Sequence, residues 1–376
     1  MAGAVRRERG DMKRAGGLWP GIVAPEALHA AYLRARKGKR FTPDVLAFEA
    51  EREANLRQLR EQLEDGTYRP GVYRTFTVRD PKPRLISAAP FRDRVVHHAL
   101  VAAIEPAFEN GFIYDSYANR VRKGTHAALR RYRDWCAAYP FALRCDVAKF
   151  FPSMDHDVLK GLLRRKLKDG RVLDLCDRII DGWAPGLPIG NLTSQLFQNV
   201  YLDPLDHFVK ETLGCRAYLR YVDDFVLLAR RKAILRRWRD KLRERLAGLS
   251  LRPNERTFEI VRTSEGINWL GFFVTPDDCR LRRERRVAFR RRLRLLWERT
   301  QKGRADVSDL GVSIRAWVAH ASHGRSRGLR RHLLFRSPPW RGGVPRGRPC
   351  AARGLVEQQS TELPLCESEQ ERAGEP

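Results

Sequence analysis

Residues 216–228 read RAYLRYVDDFVLL, in which two apolar runs flank the adjacent carboxylates Asp223 and Asp224. The β-forming residues on both sides predict two short strands joined by a tight hairpin at residues 221–224. Neighbouring carboxylates in an apolar setting repel each other and lose hydration, so their ionised forms need a local cation. An exposed Asp-Asp turn is the alternative, but such a turn would not need aromatic and apolar neighbours. The stretch therefore predicts a metal-binding hairpin.

A third carboxylate, Asp146, lies upstream at the end of another apolar run. Residues 142–147 (ALRCDV) predict a short strand, and KFFP follows at residues 149–152, before a helix that opens near Ser153. A carboxylate at the end of a buried strand is costly unless it is paired or binds a cation.

Together the three aspartates fit a two-metal phosphoryl-transfer site, in which Asp146 and Asp223 hold both ions and Asp224 supports the second. The expected cofactor is two Mg²⁺ ions, with Mn²⁺ as the alternative.

A pair of basic residues completes this pattern. The stretch from Thr75 to Ala88 predicts two short strands around an Asp-Pro turn, with Lys82 and Arg84 pointing to the same side. A solvated edge strand would explain the pair equally well on its own. Beside a two-metal site, however, Lys82 and Arg84 are expected to neutralise the triphosphate of an incoming nucleotide.

The composition limits the classes of function. Among 376 residues, 73 Lys and Arg against 45 Asp and Glu leave a formal charge of +28, which attracts a polyanion. No apolar run approaches the roughly 18 residues that span a bilayer, and the first twenty residues lack the apolar core of a secretion signal. Seven scattered cysteines without a C-x-x-C pair argue against a disulfide framework or a zinc ribbon. The sequence thus predicts a cytoplasmic nucleic-acid-binding protein without membrane contact.

Five stretches follow one another in the order typical of reverse transcriptases, and the chain resembles that family. They are KPRLI at residues 82–86, DVAKFF at 146–151, GLPIGNLTSQ at 186–195, YVDD at 221–224 and WLGF at 269–272. The resemblance runs from about Tyr68 to Leu334. It implies an α+β right-hand polymerase fold with fingers, a palm built from an antiparallel sheet with helices, and a helical thumb. It also implies RNA-directed DNA polymerase activity, a nucleotidyl transfer.

The same resemblance assigns roles to residues beyond the aspartates. Phe151 falls at the steric-gate position that excludes the ribose 2′-hydroxyl. Arg256 stands where relatives usually carry lysine, and because arginine does not readily release a proton, we expect it to contact phosphate. The implied nucleotide-binding residues are Lys82, Arg84, Phe151, Ile189, Gly190 and Gln195, and the implied primer grip is Trp269, Leu270, Gly271 and Phe272.

Ile189 departs from the commonest form of the family, in which a glutamine at this position contacts the nucleotide. The Ile-Gly-x-x-x-Ser-Gln form at residues 189–195 resembles the reverse transcriptases of prokaryotic diversity-generating retroelements, whose copying is error-prone, chiefly opposite template adenine. We therefore expect an error-prone enzyme of this type.

Two other classes are alternatives. One is a reverse transcriptase of a group II intron-like or phage-defence system, although few residues follow the expected thumb for an added DNA-binding or nuclease domain. The other is a non-catalytic basic nucleic-acid-binding scaffold, which the three aspartates and the basic pair argue against. The expected partners are template RNA, primer and complementary DNA, and deoxynucleoside triphosphates, and the family implies a small basic accessory protein.

The expected domains are a basic N-terminal arm at residues 1–40, fingers and palm at 41–275, a helical thumb at 276–336 and a tail at 337–376. The composition of the tail, rich in Pro, Gly and Arg before an acidic end, is typical of disorder.

Two helices are predicted within these domains. One is amphipathic, begins at Thr42-Pro43-Asp44 and is ended by Gly66. In the thumb, residues 280–298 predict a basic helix with a thin apolar stripe suited to duplex binding, whereas Trp317 and His320 are assigned to packing.

Overall fold

The computed structural model describes residues 14–79 and 83–336. Lys82, the start of the expected arm and the expected tail at 337–376 lie outside the described residues. The chain divides into two compact units, with the boundary between Glu265 and Gly266. Among the described residues, no helix is both long and apolar enough to cross a membrane.

The first unit combines helices with two antiparallel sheets. Its strands are β1 Arg74–Arg79, β2 Pro83–Ala88, β3 Phe141–Asp146, β4 Tyr218–Tyr221, β5 Asp224–Ala229 and β6 Ile260–Arg262. Its α-helices are α1 Pro20–Val23, α2 Pro25–Arg36, α3 Pro43–Ala50, α4 Arg52–Glu64, α5 Phe91–Glu109, α6 Thr125–Ala138, α7 Phe150–Ser153, α8 His156–Lys166, α9 Gly170–Asp181, α10 Leu192–His207 and α11 Lys232–Ala247. A π-helical turn at Phe208–Thr212 follows α10, and a 3₁₀ turn at Thr263–Glu265 follows β6.

A four-stranded antiparallel sheet in the order β4-β5-β3-β6 forms the centre of this unit. On one face of its middle strands, β3 and β5, Leu143, Cys145, Phe225 and Leu227 are buried in the core. Helix α11 packs against both of these strands. The predicted α+β class, with an antiparallel sheet and helices, is confirmed.

The segment expected as a basic arm differs from that expectation over residues 20–36, which form α1 and α2. Both helices start with a proline at the first helical position. In α2 the apolar side chains Leu28, Ala31, Tyr32 and Ala35 recur at helical spacing and are buried. The charged residues Glu26 and Arg34 of α2 are exposed, away from this buried face. The basic composition of the segment therefore did not indicate the helix.

The helix predicted from Thr42 to Gly66 is two helices, α3 and α4, with a break at Glu51. Val45 and Phe48 are buried in α3. An unbroken helix would place Arg52 and Asn55 below Phe48 on the same face, where both would be polar residues in the core. The break instead turns Leu56, Leu59 and Leu63 inward, and these side chains are buried in α4.

The second unit has a three-stranded antiparallel sheet followed by helices. Its elements are β7 Ile267–Trp269, β8 Phe272–Val274, β9 Cys279–Leu281, α12 Arg283–Gln301, α13 Val307–Ala321, α14 Arg327–Arg331 and a π-helical turn at His332–Arg336. The predicted basic helix therefore starts at Arg283, three residues later than expected, because residues 279–281 pair with β8.

The apolar stripe of α12 is narrower than the sequence suggested. Phe289 and Leu293 are buried, but Val287 is 60% exposed. Trp317 stacks on Phe289 with ring centroids 4.0 Å apart, and His320 packs against Phe272 at 4.9 Å. These contacts agree with the packing roles expected for Trp317 and His320.

Candidate active site

Strands β4 and β5 form a hairpin that we call the carboxylate hairpin, residues 218–229. Tyr221 pairs with Asp224, so Val222 and Asp223 are the two loop residues, and the predicted tight hairpin is confirmed. Val222 has φ 59°, in the left-handed region that a β-branched residue rarely adopts. Such conformations cost of the order of 1–3 kcal/mol and persist only where the surroundings impose them.

The sheet register brings the three aspartates to one end of the central sheet. Asp146 ends β3 and lies directly opposite Asp224 at the start of β5. The next residue of that chain segment, Val147, donates its backbone N–H to the carbonyl oxygen of Asp223 at 3.2 Å. The three residues are each partly buried. The sequence separated Asp146 from the other two, and strand pairing removes that separation.

Electrostatics within this group are unfavourable without a cation. Burial, and next the negative charge of Asp146, raise the pKa of Asp223 to about 6. The positive charges of Arg84 and Arg220 act in the opposite direction, but they are the smaller effects. Asp146 and Asp223 are therefore close enough to repel each other, and Arg84 lies within electrostatic reach of the same carboxylate.

This donor set can be compared with the needs of Mg²⁺. In the described part of the chain, no three His, Cys, Asp or Glu side chains are grouped closely enough to form a metal cluster. Mg²⁺, however, is usually held by one or two carboxylates together with water and substrate phosphates. Asp146 and Asp223, two hard anionic ligands whose charges disfavour each other, fit that requirement.

Asn254 contacts this site, and the sequence analysis missed it. Its side-chain Nδ2 donates to Oδ2 of Asp146 at 3.1 Å, and its backbone N–H donates to the carbonyl oxygen of Asp146 at 2.7 Å. The sequence PNER at residues 253–256 drew attention only to Arg256, whose side chain is exposed. Asn254 lies only two residues before Arg256, but its partner Asp146 is 108 residues away in the sequence, so no local pattern indicates the contact.

The loop at residues 186–190 packs against the segment that carries Phe151. Leu187 donates its backbone N–H to the carbonyl oxygen of Phe151 at 2.9 Å. Gly186 has φ 64°, and a Cβ there would lie 2.0 Å from the same oxygen, so only glycine fits. Phe151 is partly buried, next to the buried Phe150.

The other end of this loop reaches strand β2. Ser87 donates its backbone N–H to the carbonyl oxygen of Ile189 at 2.8 Å, and a Cβ on Gly190, which has φ 124°, would lie 3.1 Å from the carbonyl oxygen of Ser87. Strand β2 also carries Arg84, which is exposed opposite Val78. The loop thus joins the strand of Arg84 to the segment of Phe151.

The remaining predicted residues lie on other elements of the two units. Gln195 is exposed in the first turn of α10. In the second unit, Trp269 and Phe272 face each other as a strand pair and are both buried, whereas Leu270 and Gly271 form the turn, with φ 50° and 88°.

Comparison with known proteins identifies the family. The profile described as "Reverse transcriptase (RNA-dependent DNA polymerase)" matches residues 78–274. Protein YkfC of Escherichia coli (strain K12) is 26% identical over 306 residues, covering 66% of this chain and 80% of YkfC. The group II intron-encoded protein LtrA of Lactococcus lactis subsp. cremoris is 26% identical over 209 residues, covering 51% of this chain and 35% of LtrA.

Among solved structures, telomerase from Candida albicans in complex with a fragment of telomeric RNA is similar with a TM-score of 0.44 and 11% identity. The alignment covers 81% of this chain and 68% of the telomerase chain.

Proposed function

The chain belongs to the reverse transcriptase (RNA-dependent DNA polymerase) family, and on that premise we propose that it copies an RNA template into complementary DNA by two-metal nucleotidyl transfer. The observation that carries this proposal is the strand register, which places Asp146, Asp223 and Asp224 at one end of the central sheet. Burial, and next the negative charge of Asp146, raise the pKa of Asp223, and perturbed carboxylates of this kind are typical of functional sites rather than of a non-catalytic scaffold.

Each residue near this sheet end has a proposed task. Asp146 and Asp223 would hold Mg²⁺, with Asp224 in support, and the bound ions would supply charge stabilisation at the reacting phosphate. Asn254 orients the carboxylate of Asp146 through its hydrogen bond. Arg84 attracts the triphosphate.

Phe151, held beside the 186–190 loop, is proposed to exclude the 2′-hydroxyl of a ribonucleotide. The backbone hydrogen bond from Leu187 to the Phe151 carbonyl oxygen supports a fixed position for Phe151. The proposed substrates are template RNA, a primer and deoxynucleoside triphosphates.

Primer extension tests the proposal. A defined RNA template, an annealed DNA primer and four deoxynucleoside triphosphates with Mg²⁺ are expected to give full-length complementary DNA. A basic scaffold would bind the same duplex and add no nucleotide, and that result would contradict the polymerase proposal.

For the biological setting, we propose error-prone copying in a diversity-generating retroelement, with a small basic accessory protein. Ile189 supports this: it offers only an apolar side chain, and its loop borders the strand of Arg84. Sequencing complementary DNA from one RNA template should reveal substitutions concentrated opposite adenine. An even distribution of errors over the four bases would contradict this setting.

A group II intron-type enzyme is the second candidate. The matches to LtrA, which is intron-encoded, and to the nuclear intron maturase 1 of Arabidopsis thaliana, 34% identical over 87 residues, favour it. The DNA beside the coding region separates the two settings. A near-duplicate repeat pair that differs at adenines would support diversification, and a flanking intron would support the second candidate.

A further inference from the structure

Arg220 has a side chain that is 0% exposed and lies on β4, three residues before Asp223. It forms a two-pronged ion pair with Asp206 of α10, whose side chain is also 0% exposed. Nε of Arg220 donates to Oδ1 at 2.8 Å, and Nη2 donates to Oδ2 at 2.7 Å. A buried charge pair is costly unless its remaining donors and acceptors also find partners.

The remaining donors of Arg220 are satisfied. Nη2 also donates to Oγ of Ser116 at 3.1 Å, and Nη1 donates to Oδ1 of Asn199 at 3.1 Å. The second Nη1 donor points to the carbonyl oxygen of Val222 at 3.0 Å. The five N–H groups of the guanidinium therefore have acceptors in a fixed planar arrangement.

The contact with Val222 links this buried group to the site. Val222 is the loop residue with φ 59°, and its carbonyl belongs to the peptide that connects it to Asp223. A strained conformation persists only where the surrounding structure holds it. The hydrogen bond from Arg220 fixes the orientation of this peptide, and with it the direction in which the chain enters Asp223.

Helix α10 gives the guanidinium its own orientation. Asn199 and Asp206 are seven residues apart and thus on one face of the helix. Tyr218 and Arg220, two residues apart on β4, share one face of the strand, and the Tyr218 hydroxyl also donates to Asp206 at 2.6 Å. The contacts with Asp206 and Asn199 of α10 therefore orient the Arg220 guanidinium toward the carbonyl oxygen of Val222.

We propose that Arg220 is a positioning residue for nucleotidyl transfer, which holds the Val222–Asp223 peptide so that Asp223 is presented in its reactive orientation. The inference rests on the proposed polymerase function. It adds a residue that touches neither substrate nor metal and acts through the backbone of the turn.

The principal test is the double variant Arg220→Met/Asp206→Leu. Replacing a buried ion pair by apolar residues of similar volume is often neutral for stability, whereas removing one partner leaves an unpaired charge. We expect a folded protein whose kcat for single-nucleotide addition falls about 10- to 100-fold, the range for outer-shell residues. The KM for the nucleotide and the affinity for RNA should stay within about 3-fold of the parent, because no binding group has changed.

Two single variants keep the test decisive. Arg220→Lys retains a charge opposite Asp206, but its donors sit on one nitrogen instead of the three of a planar fork, so it cannot span Asp206 and the Val222 carbonyl as the guanidinium does. We expect it to fold and to lose kcat by about tenfold, the lower end of the same range. Tyr218→Phe is the matched control: it removes a hydrogen bond to the same Asp206 but none to the turn, so kcat should be unchanged.

The outcomes separate the two proposals. If the parent protein adds no nucleotide, the polymerase function fails. If the parent is active and either Arg220 variant is folded with the parent kcat, the positioning role is overturned. Equal losses of kcat in Arg220→Lys and Tyr218→Phe would also overturn it, because they would show a general effect of the buried network. If the double variant does not fold, the comparison of the two single variants decides.

Discussion

Two hairpins of the first unit carry charges of opposite sign in opposite settings. The carboxylate hairpin is part of the central sheet, and Phe225, Val226 and Leu227 of its second strand are fully buried. The basic hairpin, formed by β1 and β2, is a separate two-stranded sheet in which Phe76 is 43% and Leu85 is 55% exposed. The acidic residues are fixed by a core, while Arg84 stands on a strand that faces solvent.

The difference follows from what each charge is expected to do. Metal-ion coordination depends on ligand positions to within tenths of an ångström, so its carboxylates need a rigid support. Attraction between a cation and a triphosphate falls slowly with distance and tolerates looser placement. The described link between the basic hairpin and the 186–190 loop is the hydrogen bond from Ser87 to Ile189.

The largest expected effect is on the carboxylate hairpin. Asp223→Asn removes an anionic ligand worth several kcal/mol, so nucleotide addition should fall by at least roughly 10³-fold. RNA affinity should be retained, because it comes from many distributed cations. The melting temperature should not fall, since burial and Asp146 already disfavour the charge on Asp223. Primer extension at the parent rate would exclude the two-metal assignment.

Truncating a buried side chain of the carboxylate hairpin should destabilise the protein more than truncating an exposed side chain of the basic hairpin. Leu227→Ala is expected to lower the free energy of unfolding by about 2–5 kcal/mol, because it empties space in the core. Leu85→Ala should cost less than about 0.5 kcal/mol, because this side chain is already largely in water. Urea denaturation measures the free energy of unfolding of both variants. Similar losses in the two variants would contradict the difference in burial between the hairpins.

Arg84→Ala should weaken nucleotide binding without changing the fold. A lost charge-assisted contact is worth about 1.5–3 kcal/mol, and partial exposure reduces it, so the KM for nucleotides should rise roughly 10-fold. Arg57→Ala, at an exposed cation on α4, is the control for loss of charge alone and should leave KM unchanged. If both variants raise KM equally, Arg84 has no specific role.

The smallest expected effect concerns Ile189, in the loop that borders the basic hairpin. A glutamine there could hydrogen-bond the nucleotide and improve discrimination, so Ile189→Gln should lower misincorporation opposite adenine by a few-fold. The alternative is a packing role, in which a buried unpaired amide would cost about 1–3 kcal/mol and leave fidelity unaltered. An identical error spectrum with a lower melting temperature would favour packing.

The sequence predicted both hairpins and the three aspartates because each depends on local pattern: alternating or continuous apolar runs, interrupted by charges. It did not predict the contacts that join distant segments. Asn254 hydrogen-bonds to Asp146, 108 residues away in the sequence. Nothing in the sequence of β4 indicates that Arg220 pairs with a residue of α10.

The same limit applies to the helices. The buried face of α2 was hidden by the surrounding charge, and the break at Glu51 depends on which neighbours the next turn would meet. Periodicity in the sequence indicates that a helix exists, but the position of a break depends on which side chains can be buried in the core.

Single-turnover addition of one deoxynucleotide, over a range of nucleotide concentrations, tests most directly whether the two hairpins divide chemistry from binding. Asp223→Asn should remain slow at saturating nucleotide, whereas Arg84→Ala should recover the rate of the parent protein. Recovery of Asp223→Asn at high nucleotide concentration, or a persistent loss in Arg84→Ala equal to that in Asp223→Asn, would contradict this division.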